Sequence, residues 1–154
     1  GGVISCLQYG KTLNYKIKSH PHGMLYVGFS NVLAERLVDH VSLDIKNAPS
    51  AYAKTCGVED MDLKDIEKSL DLLKQSVVPY DICVTLVDEL HNQETIEELG
   101  EWLQGVDTVI LQPFEDSETT IDHSLHRPSF EVVLKYKNIF EKYVKHVKIR
   151  GDQA

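Results

Sequence analysis

Two charged residues, Asp44 and Lys46, alternate with apolar residues in the segment HVSLDIK, residues 40–46. Because successive side chains of a strand point to opposite faces, the two charges share a face with Ser42, and the apolar residues share the other face. A polar face on a central parallel strand is unfavourable unless it meets water, a ligand or a partner. Both charges fall at the C-terminal end, where parallel α/β folds place their sites, so they form a candidate ligand-binding site. The alternative is an edge strand that carries a solvated ion pair.

Two further polar residues follow predicted strands. Gln112 ends the strand DTVILQ, and His91 lies in the loop after the strand YDICVTLV, beside the predicted helix cap Asn92. Both positions belong to the same C-terminal edge, and the histidine is interpreted either as a ligand or base or as a packed, capping residue. The glycine pair Gly1-Gly2 lacks Cβ atoms and would let a ligand approach the backbone, although it is equally well a cloning remnant.

Metal-binding patterns are weaker. His123 and His126, with Asp116 and Asp122, have metal-friendly side chains but no regular spacing, and we interpret their segment as an acidic, solvated loop. The cysteines are widely separated along the chain, which predicts free thiols and no metal site: they are Cys6, Cys56 and Cys83.

Short apolar segments alternate with amphipathic ones along the chain. The predicted strands cover 24–29, 40–46, 80–87, 107–112 and 146–150, and the predicted helices cover 31–38, 62–76, 93–103 and a segment that begins at Pro128 and Ser129. This alternation indicates an α/β fold of βαβ units with a parallel sheet of about five strands. It fits an open doubly wound sheet or part of a (β/α) barrel, and the periodicity does not separate them. One domain is predicted over 1–150, with a polar tail at 151–154.

Composition excludes some functions. The 24 acidic residues outnumber the 16 Lys and Arg residues and give a formal charge of −8, which opposes binding to nucleic acid. No apolar run approaches the roughly 20 residues that cross a bilayer, so no membrane association is predicted. We expect a cytoplasmic protein.

Three stretches together resemble one family: LVDHVSLDIKNAPSAYAKTCGVE, LDLLKQSVVPYDICVTLVDELHNQETIEELGEWLQGVDTVILQPF and PSFEVVLKYKNIFEKYVKHVKIRG. They are similar to the second half of the radical SAM activating enzymes, in particular the activase of anaerobic ribonucleoside-triphosphate reductase. The resemblance implies a partial radical SAM barrel. For the complete protein it also implies S-adenosylmethionine and a [4Fe–4S] cluster, which together produce a glycyl radical on that reductase or a similar glycyl-radical enzyme.

The same resemblance implies a cofactor site. Gly1 and Gly2 would lie along the methionine part of S-adenosylmethionine, and Asp44 and Lys46 match the family's Asp-x-Lys strand near the cofactor's carboxylate. No catalytic residue is assigned in this chain. His91 and Gln112 also match family motifs, which lie in strand-end loops near the same end of the barrel.

The chain also departs from the family. The three-cysteine loop is absent, so no cluster is expected in this chain, and Val3 stands in place of a glutamate. The family's Asp-Thr-Asn-Gly segment corresponds to residues 26–29, which carry no carboxylate, and Cys83 replaces a frequent arginine. From these losses we expect this chain alone to be inactive.

Three interpretations follow. The absence of an initiator methionine favours the C-terminal part of an activase, whereas the altered cofactor positions favour a diverged, catalytically silent partial barrel that serves as a protein-interaction module. The third is an unrelated barrel fragment that binds a small molecule through Asp44 and Lys46 without iron. For any partial barrel, an uncovered strand edge predicts self-association.

Overall fold

The computed structural model describes residues 40–116 and 124–151, together with the backbone of two strands at 4–9 and 12–17. The glycine pair Gly1-Gly2, the predicted strand at 24–29 and the predicted helix at 31–38 lie outside the described residues.

A six-stranded sheet organises the chain. Its strands are β1 (Ile4–Tyr9), β2 (Thr12–Ile17), β3 (His40–Asp44), β4 (Tyr80–Leu86), β5 (Thr108–Pro113) and β6 (His146–Ile149). They lie side by side in chain order, with β1 antiparallel to β2 and every other pair parallel. Four of these strands, β3 to β6, were predicted from the sequence, whereas β1 and the parallel strand β2 were not.

Four helices are described: α1 (Pro49–Thr55), α2 (Lys64–Gln75), α3 (Gln93–Trp102) and α4 (Phe130–Phe140). Side chains cap the start of α3 and α4, and a side chain just before α2 binds its first amide. The Asn92 side chain accepts a hydrogen bond from the Thr95 amide, Ser129 accepts one from Val132, and Asp62 accepts one from Lys64. None of these helices is both long and apolar enough to cross a bilayer; the longest, α2, has 12 residues.

All four described helices pack against the same face of the sheet. Every second residue of β3, β4 and β5 is buried there, including Leu43, Val84 and Leu111, each 0% exposed. The helices supply the other half of this single core, with Tyr52 from α1, Leu70 from α2, Ile96 from α3 and Phe140 from α4.

This arrangement separates the two predicted architectures. A doubly wound sheet has helices on both faces and a strand order that reverses at a switch point. Here the strands follow chain order, and the described helices cover one face only. The structure is therefore part of a (β/α) barrel, in which the uncovered sheet face is the inner face.

Candidate functional site

The inner face of the sheet is polar. Alternation places on it the residues opposite to the core positions, and the strand register sets Asp44 beside Cys83 and Thr85 beside Gln112. Among the described residues of this face, Ile110 is the main apolar exception. The full set of inner-face residues on β3 to β5 is His40, Ser42, Asp44, Asp81, Cys83, Thr85, Thr108, Ile110 and Gln112.

Asp44 and Lys46 form an ion pair at the C-terminal end of β3. Lys46 Nζ lies 2.6 Å from Asp44 Oδ2, and the two side chains are 43% and 12% exposed. That carboxylate oxygen is buried, yet it makes no hydrogen bond of good geometry with any described residue. Because β3 lies between β2 and β4, the alternative prediction of a solvated pair on an edge strand is wrong.

His91 lies beside this pair, but both of its ring nitrogens are engaged. The Val87 amide donates to Nδ1 at 3.1 Å, so the proton resides on Nε2, which donates to the Lys46 carbonyl at 3.0 Å. Burial lowers the pKa of His91, although the carbonyl groups of Lys46 and Val87, which lie against its ring nitrogens, act in the opposite direction. A neutral imidazole therefore ties the loop after β4 to the segment that follows β3, which favours the packed interpretation.

Other buried groups fix the same segment. Asn47 is 0% exposed, and its amide nitrogen donates to the Leu90 carbonyl at 2.7 Å. The Tyr52 hydroxyl accepts a hydrogen bond from the Lys46 amide at 3.2 Å. The backbone of Lys46 is thus held from two sides, while its ammonium group remains half exposed.

Gln112 lies on the same face but farther from the ion pair. Its strand, β5, is separated from β3 by β4, so the lateral separation is about 10 Å at the usual strand spacing. Its Nε2 atom instead approaches Gly151, where it is 3.6 Å from the position that a Cβ atom would take. The structure therefore brings Asp44, Lys46 and His91 together and places Gln112 at a neighbouring position along the strand ends.

A polar network that the sequence analysis missed surrounds Asp81. Its carboxylate accepts hydrogen bonds from Ser42 Oγ at 2.6 Å and Cys83 Sγ at 3.3 Å, and His40 Nε2 lies 3.0 Å away. Burial raises the pKa of Cys83 to about 12, and the charge of Asp81 adds to the effect. Strand alternation in YDICVTLV puts Asp81 and Cys83 on the same face of their strand, just as it puts Asp44 and Lys46 on one face of HVSLDIK. This local pattern is the signal that could have identified both residues.

The described residues do not fit an iron–sulfur cluster. Three closely spaced thiolates are needed, whereas Cys56 follows α1 on the outer side and Cys83 lies on the inner face. Burial raises the pKa of both thiols, which disfavours the thiolate form. Within residues 40–116 and 124–151, no three His, Cys, Asp or Glu side chains group closely enough to hold a metal ion.

His126 contacts a carboxylate in a neighbouring loop. Its Nδ1 lies 2.5 Å from Glu89 Oε2, and its amide donates to Glu89 Oε1 at 2.7 Å. The hydrogen bond to Glu89 raises the pKa of His126 and lowers that of the glutamate. The contact joins the loop after β5 to the loop after β4; Asp122 and His123 lie outside the described residues.

These features define a class of fold, the partial parallel (β/α) barrel with a polar inner face. No protein-family model and no curated protein matches the chain. Among solved structures, it is similar to a radical SAM methyltransferase from Sphaerobacter thermophilus, with a TM-score of 0.65 and 14% sequence identity. The match covers 92% of this chain and 40% of that one, so the chain spans less than half of that structure. The predicted fold, a partial barrel of the radical SAM type, is confirmed.

Proposed function

We propose that the chain is the C-terminal part of a radical SAM protein and that the end of β3 holds the amino-acid part of S-adenosylmethionine. The observation that carries this proposal is the buried carboxylate oxygen of Asp44, which among the described residues is paired with the half-exposed ammonium group of Lys46 and lies on a barrel face that no described helix covers. A buried carboxylate is costly unless it is paired, so a ligand ammonium group that joins or replaces Lys46 can stabilise it.

The amino-acid part of this cofactor is a zwitterion. Its ammonium group is a suitable donor for Asp44, and its carboxylate is a suitable partner for Lys46. On binding, Asp44 therefore exchanges the ammonium group of Lys46 for that of the ligand, and Lys46 exchanges the carboxylate of Asp44 for that of the ligand. When bound, S-adenosylmethionine supplies the adenosyl group of the radical chemistry that the sequence resemblance implies.

The surrounding residues have a positioning role in this proposal. His91, Asn47 and Tyr52 hold the backbone of the segment that carries Lys46, so the position from which its ammonium group reaches the ligand is fixed. Because His91 is neutral and fully hydrogen-bonded, it adds no charge to compete with the ligand. The thiolates that bind the cluster come, on this proposal, from outside the described residues.

The resemblance also supports a proposed reaction and partner. We propose that the complete protein activates anaerobic ribonucleoside-triphosphate reductase or a similar glycyl-radical enzyme. The similarity to a radical SAM methyltransferase supports the fold that this requires, and the choice of an activase depends on the sequence motifs.

Calorimetric titration of the chain with S-adenosylmethionine, and with methionine as its amino-acid part alone, tests the site. We expect Asp44→Asn and Lys46→Gln each to weaken binding of both ligands by about tenfold or more, the usual effect of losing a charge-assisted contact. The matched controls are Glu141→Gln and Lys137→Gln, which break an ion pair of 3.1 Å on α4 and should bind as the wild type does. The proposed site is wrong if neither ligand binds, or if the controls lose as much affinity as the site variants.

The poor fit to a cluster supports a second candidate, the catalytically silent interaction module. Such a module keeps its affinity for the glycyl-radical enzyme but does not bind S-adenosylmethionine. Measuring both affinities on the same preparation separates the two functions, since a part of an activase binds the cofactor and the silent module does not.

A further inference from the structure

A cavity opens at the N-terminal end of the parallel strands. It has a volume of about 520 Å³ and lies where β3, β4 and β5 begin, because His40, Tyr80 and Thr108 are all part of its wall. The Asp44 ion pair lies at the opposite, C-terminal end of β3. The volume falls within the range of about 300–1,000 Å³ that is typical of small-molecule sites.

Three lysines line this cavity. Lys74 at the end of α2, Lys145 before β6 and Lys148 within β6 all line it. None of the three forms an ion pair with a residue in the described ranges, although the chain as a whole carries a charge of −8. Three unpaired cations around one concave surface produce a local positive potential that attracts anions.

The carboxylates of the cavity are already engaged. Asp81 accepts a hydrogen bond from Ser42 and contacts His40, and Asp107 accepts one from Thr108 Oγ1 at 2.9 Å. Two engaged carboxylates therefore face three unpaired lysines. The lining has a net positive charge before any contribution from His40.

An apolar wall lies beside the lysines. Val77 is 71% exposed, the most exposed of the large hydrophobic residues described, and Pro79 continues the same wall. Tyr80 presents a half-buried ring, fixed by a hydrogen bond of 3.1 Å from the Asp107 amide to its hydroxyl. Cations next to an exposed apolar surface suit a ligand that combines an anionic group with a flat, weakly polar body.

We propose that this cavity binds a nucleoside phosphate, with its phosphate groups on the three lysines and its base against Val77 and Tyr80. Lysine acts on phosphate as a compact point charge, so it needs no rigid bidentate geometry. The proposal does not depend on the cofactor site, since it uses no residue at the C-terminal ends of the strands.

The first test is calorimetric titration of the whole chain with magnesium-free ATP, and with pyrophosphate and adenosine as its two parts. ATP should bind most tightly, pyrophosphate more weakly and adenosine weakest. The triple variant Lys74→Gln, Lys145→Gln, Lys148→Gln should bind ATP about tenfold or more weakly, as expected for three partly solvated ionic contacts.

The matched control is the triple variant Lys54→Gln, Lys64→Gln, Lys135→Gln. It removes the same charge from exposed lysines outside the cavity, and it should retain nearly all of the affinity. Equal losses in the two triple variants would mean that the chain attracts ATP only through its overall charge, and the proposed site would then be wrong.

Two single variants locate the binding. Val77→Glu places a carboxylate on the wall at an exposed position where folding is not at risk, and it should weaken ATP binding as strongly as the triple variant. Asp44→Asn should leave ATP binding unchanged. If ATP does not bind, or if Asp44→Asn abolishes binding while Val77→Glu does not, the proposal for this cavity is overturned and the proposed cofactor site is unaffected.

Discussion

His91 links the loop after β4 to the segment after β3, and it does so as a neutral side chain. Its two hydrogen bonds reach Val87 in its own loop and Lys46 in a segment 45 residues earlier. A buried imidazole with one accepting and one donating nitrogen satisfies two backbone groups at once and fixes the distance between two strand ends. The position of Lys46 relative to Asp44 therefore depends on His91 staying neutral, because the hydrogen bond to the Lys46 carbonyl comes from the neutral imidazole.

We predict that His91 makes the chain less stable in mild acid. Its pKa is lowered in the folded state, whereas an unfolded chain binds the proton near pH 6.5. The stabilisation is therefore complete above about pH 6.5 and is lost as the pH falls toward the folded-state pKa. In urea unfolding at several pH values, His91→Gln should lower stability at neutral pH and remove part of this acid dependence.

His126 should act with the opposite sign. Glu89 raises its pKa, so its stabilisation is present below about pH 6.5 and is lost as the pH rises through the raised value. His126→Gln should therefore reduce stability at low pH more than at high pH, and the same titrations of urea unfolding measure it. If His91→Gln and His126→Gln changed the pH dependence in the same direction, the assignment of one of the two histidines would be wrong.

The sequence predicts some of these residues and not others, for a physical reason. Asp44 and Lys46 are found because strand alternation is a local pattern that needs no knowledge of neighbouring strands. The network around Asp81 depends on the register that sets Ser42 beside Asp81, and the sequence alone does not specify that register. The hydrogen bonds of His91 likewise depend on tertiary contacts, so the sequence left its role open.

At the level of elements, the accuracy of prediction follows the strength of local signals. The helices α2, α3 and α4 have a side-chain hydrogen bond to a backbone amide at or just before their start and apolar residues at helical spacing, and all three were predicted within a few residues. The helix α1 was missed because it has seven residues and no side-chain cap; its one signal is Pro49 at the first position. The hairpin of β1 and β2 was missed because it lies in the first twenty residues, where no periodic pattern was identified.

A test of element packing is the contact of α3 with the turn after α4. A Cβ atom on Gly100 would lie 2.5 Å from Cδ2 and 2.9 Å from Cε2 of Tyr143. Gly100→Ala should therefore destabilise the fold by about 1–3 kcal/mol through overpacking, although alanine by itself favours a helix by about 1 kcal/mol. In a Tyr143→Ala background the same substitution should become stabilising. Denaturant unfolding of the four proteins measures this change of sign, and a stabilising effect in both backgrounds would contradict the packing described.

On the scale of the whole molecule, a sheet covered on one face has two unequal surfaces. The outer face is sealed by helices, while the inner face is polar and ends at β6, a strand with no described neighbour beyond it. His146 and Arg150 donate their amides to β5, so alternation turns the amide of Val147 toward the free edge. The amide of Val147 on that edge is placed to pair with a strand of another chain. Two exposed cations on the inner face, Lys148 in β6 and Arg150 directly after it, oppose edge-to-edge pairing by like-charge repulsion.

We therefore predict that the chain self-associates through β6 and that salt strengthens the association. Raising the salt from about 0.05 M to about 0.5 M shortens the screening length severalfold and weakens the repulsion between the basic side chains of two copies. Val147→Pro removes an amide that faces away from β5, so it should leave a cooperatively folded chain of lower Tm that remains monomeric in light scattering at both salt concentrations. The control Lys148→Pro removes an amide that faces β5, and it should cost more stability because it breaks the ladder itself. A wild-type chain that stays a monodisperse monomer at high protein concentration in both salts would show that the edge of β6 is protected, and association that survives Val147→Pro would assign the contact to another surface.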